Sequence, residues 1–316
     1  MRTVYGLDNL ERPGRPVVLS IGNFDGVHLG HQAILRRVVE LARAHGFLPT
    51  VMTFECHPLK ILSPTSAPPT LMPLPQRLEI MESLGIELVA VTRCLHSLLD
   101  MERDQFVQDV LMTLFDLRYV VEGPNFRFGH DRSGDIDHLI RIGPRFGFQA
   151  IKIDPVQLEL GDLGTRTLSS SLVRKLVAAG RVDLARHCLG RPYRIAGKVI
   201  TGARRGRTIG FPTANLEIPD QLLPEKGIYA ARACVAGHSH PAAVVIGPAP
   251  TFEQYQTAIE AFLLDYSGDL YGQNIDLHFY RRLRDIIKFD DPSELVEQIN
   301  SDVLAVRDII HREECT

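Results

Sequence analysis

The sequence lacks the features that would assign it to a membrane, a secretory pathway or a nucleic acid. No apolar run approaches the ~18 residues that a bilayer-spanning helix needs. Residues Met1 to Pro16 carry charges at Arg2, Asp8, Glu11, Arg12 and Arg15 but no apolar stretch, so no signal peptide is expected. The five cysteines (Cys56, Cys94, Cys188, Cys234, Cys315) are odd in number and scattered, with no C-x-x-C pair. That spacing excludes a disulfide framework and a thiolate zinc site, and implies reduced thiols that pack as small hydrophobes. Neither sign of charge is in excess: 35 Lys+Arg stand against 38 Asp+Glu, for a formal net charge of -3. A dedicated nucleic-acid binder would carry a strong basic surplus. The expectation is a cytoplasmic protein without a membrane or nucleic-acid partner; protein partners are not legible, and a homo-oligomer stays open.

With 316 residues, 45% of them hydrophobic and 23% charged, the chain has the composition of a globular protein long enough for two domains. The first half alternates β-rich runs (Val17 to Ile21, Thr50 to Phe54, Leu88 to Thr92, Tyr119 to Val121, Ala150 to Ile153) with helical spacing. One helical set is Ile34, Leu35, Val38, Val39 and Ala42, and another is Phe106, Val107, Val110, Leu111 and Leu114. This alternation predicts a parallel sheet covered on both faces. The five prolines between Pro64 and Pro75 exclude sheet there and leave an ordered excursion or a flexible loop.

After about Leu189 the pattern changes. Short runs at Tyr193 to Thr201, Gly227 to Val235, Ala242 to Ile246, Thr257 to Leu264 and Ile275 to Phe279, punctuated by Gly and Pro, predict a small antiparallel β-barrel. Asp291 as N-cap and Pro292 at the first helical position predict a closing helix. Its apolar stripe, Leu295, Val296, Ile299, Val303, Val306 and Ile310, would lie on the barrel. The expected domains are 1–187, α/β, and 188–316, β-barrel with a long C-terminal helix.

The strand Val17 to Ile21 runs into Gly22-Asn23-Phe24-Asp25-Gly26-Val27-His28-Leu29-Gly30-His31, where a helix pattern begins. Ligands of open α/β sheets bind at such strand-to-helix turns. Gly22, Gly26 and Gly30 let the backbone turn sharply and let an anion come close, and the helix start offers free N–H groups and a positive dipole end to phosphate. His28 and His31 share one face and could donate to the same phosphate. A histidine pair at this spacing is in itself more often a packing or surface feature, and no third zinc ligand of convincing spacing accompanies it.

The full string resembles the H-x-G-H signature of the nucleotidylyltransferases, and its Phe24-Asp25-Gly26-Val27-His28 form is similar to the FMN adenylyltransferase module of bacterial FAD synthetases. Three further segments resemble that module in order. They are Thr53-Phe54-Glu55-Cys56-His57-Pro58 (with Cys56 where proline is usual), Gly123-Pro124-Asn125-Phe126-Arg127-Phe128-Gly129 and Ser169-Ser170-Ser171-Leu172-Val173-Arg174. Thr167 stands where many relatives are basic. The resemblance implies a Rossmann-like fold for the first domain and transfer of AMP from ATP to FMN. His28 and His31 would act on the reacting phosphates. Gly22, Phe24, Asp25, Gly26 and Gly30 would lie around the nucleotide, and Ser170, Ser171 and Arg174 at the pyrophosphate. Asn125 and Phe128 would touch flavin. From the residues alone, a helix N-cap remains the plain reading of Ser170 or Ser171, and core packing that of Phe126 and Phe128.

In the second domain Gly202-Ala203-Arg204-Arg205-Gly206-Arg207 leads into Thr208-Ile209-Gly210-Phe211-Pro212-Thr213-Ala214-Asn215. Arginines among glycines fit a phosphate-cradling loop or a solvated basic turn. Glu260 falls on one strand face with Phe262 and Leu264, which makes it a barrel-mouth carboxylate, one satisfied by a partner, or a functional group. Gly210 to Asn215 resembles the G-[FY]-P-T-A-N motif of riboflavin kinases. That resemblance gives Gly206, Arg207 and Gly210 to ATP, Thr213 and Asn215 to Mg²⁺, and makes Glu260 the base that activates riboflavin. Val245 stands where many relatives carry a polar residue. From Val17 to Asp308 the chain is identified as a member of the prokaryotic bifunctional riboflavin kinase/FAD synthetase family. The family implies riboflavin, FMN and ATP as substrates, FMN and FAD as products, and Mg²⁺ as cofactor. The alternatives are a chain with one working site, a silent flavin-binding regulator, and a nucleotidylyltransferase for another acceptor.

Overall fold

A computed structural model describes residues 1–93, 96–201, 210–217, 220–248 and 257–314. The chain divides into two compact units, Met1–Ser170 and Ser171–Thr316.

The first unit is built on a six-stranded parallel sheet. Its strands are β1 (Arg2–Tyr5), β2 (Val17–Ile21), β3 (Leu48–Phe54), β4 (Leu88–Thr92), β5 (Leu117–Glu122) and β8 (Gln149–Lys152), in the order β1-β4-β3-β2-β5-β8. Every residue of β2 and β4 is buried, as expected where both faces of a sheet are covered. After β2 the strands are added to one side and after β4 to the other, so the order reverses between β2 and β5. That reversal opens a crevice beyond the carboxyl ends of these two strands.

Helix α1 (Leu29–His45) follows β2 directly. His28 caps it, and its C-terminus closes on Gly46 at φ 69°, whose N–H donates to Ala42 O. Two further helices of this unit are α2 (Leu74–Ser83) and α3 (Ile136–Phe146); Asp135 caps α3 by accepting the His138 N–H at 2.8 Å. Two short hairpins, β6 (Arg127–Phe128) with β7 (Gly134–Asp135) and β9 (Gln157–Glu159) with β10 (Thr165–Thr167), complete it. The segment expected as an ordinary helix at Phe106 is wound more widely, as a π-helix over Phe106–Met112, with Phe106, Val107, Val110 and Leu111 buried. The proline-rich excursion is ordered: it holds a 3-10 turn at Pro64–Ser66 and runs into α2.

In the second unit a closed barrel runs β11-β12-β15-β14-β13-β16. Its strands are β11 (Tyr193–Ile200), β12 (Ala214–Glu217), β13 (Gly227–Val235), β14 (His238–Pro248), β15 (Thr257–Leu263) and β16 (Asn274–Arg284), all paired antiparallel. Tyr193, Tyr229 and Phe279 are its largest fully buried side chains; the rings of Tyr229 and Phe279 meet edge to face at 5.5 Å. Helices α4 (Ser170–Ala178) and α5 (Val182–Leu189) precede it, and α5 packs on β11 and β16.

Helix α6 (Pro292–Glu314) packs on β13, β14 and β16. As expected, Pro292 opens it and Asp291 accepts the Ser293 N–H at 2.8 Å. The apolar stripe is buried most deeply at its far end, where Val306 and Ile310 join Ala230 and Leu264. A partly buried ion pair fixes the helix further: Arg284 donates to both Asp302 oxygens (Nε at 3.0 and 3.2 Å, Nη2 at 2.6 Å), and Gln298 adds a bond of 3.0 Å. Asp302→Asn leaves the guanidinium without its countercharge and is expected to destabilise the barrel by about 2 kcal/mol, measured by chemical denaturation of the full chain.

Candidate functional site

The turn from β2 to α1 is built under strain. Phe24 (φ 49°) and Val27 (φ 36°) adopt left-handed backbone angles, an arrangement unfavourable for a bulky or β-branched residue and held only by its surroundings. The holding bonds are visible: Val27 N–H donates to Phe24 O at 3.0 Å, and Gln32 Nε2 donates to Val27 O at 3.0 Å. Close approach explains two glycines. A Cβ at Gly22 would meet the Phe24 ring at 3.2 Å, and one at Gly30 the His28 ring at 3.1 Å.

His28 is buried and caps α1. Its Nδ1 accepts the backbone N–H of His31 at 3.2 Å, which places the proton of the neutral ring on Nε2. The His31 ring stacks on it with centroids 3.7 Å apart and 18° between planes. The pair thus forms one unit at the positive end of a helix.

Two polar clamps hold the surrounding strand ends. The Asp25 carboxylate accepts the backbone N–H groups of Leu71 (3.1 and 3.0 Å) and Met72 (2.9 Å), tying down the proline-rich excursion. The buried Arg77 guanidinium of α2 donates to Asn23 O at 2.5 Å, Phe54 O at 3.1 Å and Glu55 O at 3.4 Å. A third tie comes from Ser170, whose hydroxyl donates to Asp25 O at 2.8 Å.

These elements border a cavity of about 710 Å³, well inside the range of small-molecule sites. Of the residues expected from sequence, Gly22, Phe24, His28, Gly30, His31, Asn125, Phe128 and Ser170 line it. Asp25 and Gly26 belong to the turn and are not part of the lining. Ser171 and Arg174 lie in α4 within the second unit. Phe128 is also a core residue, buried between Phe106 (5.5 Å) and the more exposed Phe126, which stacks on it at 5.4 Å and 24°.

Sequence reasoning missed Glu122. It ends β5, is fully buried and lines the cavity. One oxygen, Oε1, accepts both Ser20 Oγ (3.1 Å) and Ile21 N–H (2.5 Å). Burial pushes its pKa up to about 8, against the lowering effect of these two bonds. No local signal marks it: the strand Leu117–Glu122 also carries Arg118 and Tyr119, so one more polar residue at its end does not stand out.

In the second unit Thr213, Asn215 and Glu260 come together from two distant segments. Thr213 Oγ1 donates to Glu260 Oε2 at 3.1 Å, and Asn215 and Val245 are the register partners of Glu260 on either side. The face that Glu260 shares with Phe262 is half-buried, while Ile259, Ala261 and Leu263 fill the barrel interior. The carboxylate therefore sits on the outer face with a hydroxyl partner. Phe211 packs edge to face on Phe262 at 5.3 Å. Gly210 opens this segment at φ 88°; Gly206 and Arg207 lie outside the described residues. Hydroxyl, amide and carboxylate oxygens suit a hard cation such as Mg²⁺. Among the described residues no group of three or more His, Cys, Asp and Glu side chains is placed to hold a metal. No described helix is long and apolar enough to cross a membrane.

Comparison with known proteins agrees with this division. Residues 11–167 match the FAD synthetase family model and residues 189–310 the riboflavin kinase model. The bifunctional riboflavin kinase/FMN adenylyltransferase of Pseudomonas fluorescens is 37% identical, over 97% of both chains. The chain belongs to the bifunctional riboflavin kinase/FMN adenylyltransferase family. The member from Escherichia coli K12 is 34% identical, over 98% of this chain and 97% of its own. A solved structure described as a macrolide-efflux protein from Streptococcus pneumoniae is similar in fold at a TM-score of 0.87, with 26% identity over 96% of this chain and 98% of that one.

The Glu122 proton gives the first unit a pH signature. The folded carboxyl keeps its proton to about pH 8, whereas an unperturbed one loses it near 4.5. Stability therefore falls as pH rises from about 4.5 to about 8 and levels off above, by up to about 1.4 kcal/mol per pH unit. Denaturation of wild type and Glu122→Gln across this range is expected to show the slope in the difference between them.

Proposed function

We propose that the chain makes flavin cofactors in two steps: riboflavin + ATP → FMN + ADP in a kinase domain, residues 188–316, then FMN + ATP → FAD + pyrophosphate in an adenylyltransferase domain, residues 1–187. The observation that carries this reading is that polar groups gather at two separate places: His28, His31 and Ser170 line a strand-end cavity of the first unit, and Thr213 bonds to Glu260 beside Asn215 on the barrel of the second.

In the first reaction the ribityl 5′-hydroxyl of riboflavin attacks the γ-phosphorus of ATP, and Glu260 accepts the hydroxyl proton. Thr213 orients that carboxylate. Thr213 and Asn215 would hold Mg²⁺, which supplies neutralising charge to the ATP phosphates. Gly206, Arg207 and Gly210 would border the ATP phosphates.

In the second reaction an FMN phosphate oxygen attacks the α-phosphorus of ATP and pyrophosphate leaves. No protein nucleophile is needed, so the protein's part is positioning and charge stabilisation. His28 donates from Nε2, His31 beside it adds a second ring donor, and the N-terminus of α1 adds its dipole. Ser170, Ser171 and Arg174 receive the pyrophosphate end, with Gly22, Phe24 and Gly30 bordering the nucleotide. Asp25 and Gly26 shape the turn, and Asn125 and Phe128 border the flavin. The partners are riboflavin, FMN and ATP, and the compartment is the cytoplasm.

Two substitutions separate the reactions. Glu260→Ala is expected to lower FMN formation by about 10²–10⁴-fold while FAD formation from supplied FMN continues. His28→Ala is expected to lower FAD formation by about 10²–10³-fold while FMN formation continues. Chromatography of the flavins checks both, and loss of both activities in either variant would contradict the assignment.

A further inference from the structure

We propose that Glu122 is a ligand-contacting residue of the adenylyltransferase site: a neutral carboxylic acid on the cavity wall whose second oxygen donates a hydrogen bond to an acceptor oxygen of the phosphorylated substrate. The inference rests on the adenylyl-transfer reading of the first unit.

Glu122 ends β5 and bonds to the end of β2, so it stands at the reversal of strand order where an open α/β sheet receives its ligand. Its two oxygens are used unequally. Oε1 takes both Ser20 Oγ and Ile21 N–H, while Oε2 makes no hydrogen bond among the described residues, although the side chain lines the cavity. Oε2 is not sealed off from the cavity, so a ligand seated there can reach it and supply its partner.

Charge decides the form. An ionised carboxylate here would face the phosphates of two polyanionic substrates, whereas a protonated one offers them a donor. The group is fully buried, and burial holds the proton on to about pH 8. The titratable neighbours do not remove it. On β8 the register partner Lys152 places its ammonium 2.9 Å from Asp137, with Asp154 just beyond the strand. Helix α1, packed on β2 and β5, brings His28 and His31, and β2 contributes only Ser20 and Ile21. A phosphate beside the acid would raise its proton affinity further.

The test uses the full-length chain. FAD formation is measured from about pH 6 to 9 for wild type, Glu122→Gln and Glu122→Leu, with riboflavin phosphorylation as the internal control. Calorimetric binding of FMN and of a non-hydrolysable ATP analogue is measured alongside. Glu122→Leu is expected to raise KM and Kd for one of the two substrates by about tenfold, with kcat within about threefold and the kinase unaffected; the substrate that responds is the one contacted. Glu122→Gln, which keeps a donor, restores affinity near neutral pH. Wild-type KM climbs above about pH 8, and that climb is absent in Glu122→Gln. Unchanged KM and Kd in Glu122→Leu would overturn the proposal. If the leucine variant does not fold, the glutamine variant decides alone, since an alkaline climb that persists in it also overturns the proposal. Wild type that forms no FAD would remove the underlying reading, and the proposal with it. Wild type that forms FAD while the variants behave alike would remove only the role of Glu122.

Discussion

The first unit depends on how the carboxyl ends of its parallel strands are held. Arg77, almost wholly buried, sends one guanidinium to the main-chain oxygens of Asn23, Phe54 and Glu55. It thereby ties the exits of β2 and β3 to α2. Main-chain oxygens beyond a strand end have no ladder partner and would otherwise need water, and a guanidinium with five donors is suited to collect several of them. Asp25 does the reciprocal work with main-chain N–H groups at Leu71 and Met72. Between them, the two clamps let the turn carrying Phe24 and Val27 keep its left-handed angles, and that turn sets the stacked His28 and His31 at the start of α1.

The second unit solves a similar problem with a closed sheet. Closure leaves no edge to protect, and the alternation of strand residues sends Ile259, Ala261 and Leu263 inward and Glu260 outward. Pairing of β12 with β15 then places Asn215 opposite Glu260, so the face proposed to act on riboflavin follows from register. Val245 is the other register neighbour of Glu260. A sequence departure at that position therefore lies beside the proposed base.

Much of this was legible in the sequence. Strongly apolar strands such as Val17–Ile21 and Gly227–Val235 were found to the residue, because burial on both faces or in a barrel leaves an unbroken signal. Edge strand β1 was missed: Arg2 and Tyr5 are exposed and Thr3 and Val4 only partly buried. Strand β12 was missed because it begins two residues after Pro212, inside a segment read for chemistry. Of the site, glycines and histidines at one turn could be read locally. Arg77 and Glu122 could not, since their meaning comes from contacts 54 and 101 residues away. Asp25 was placed among the phosphate contacts by its motif, and its hydrogen bonds show an anchoring carboxylate in the turn.

Two transfer reactions on one chain must run in series, because the product of the first, FMN, is the substrate of the second. The most direct measurement is a chromatographic time course of the purified chain with riboflavin, ATP and Mg²⁺, following FMN and FAD together. FMN is expected to appear first and FAD to follow from it. Accumulation of FMN without FAD, or no conversion of bound riboflavin, would contradict that series.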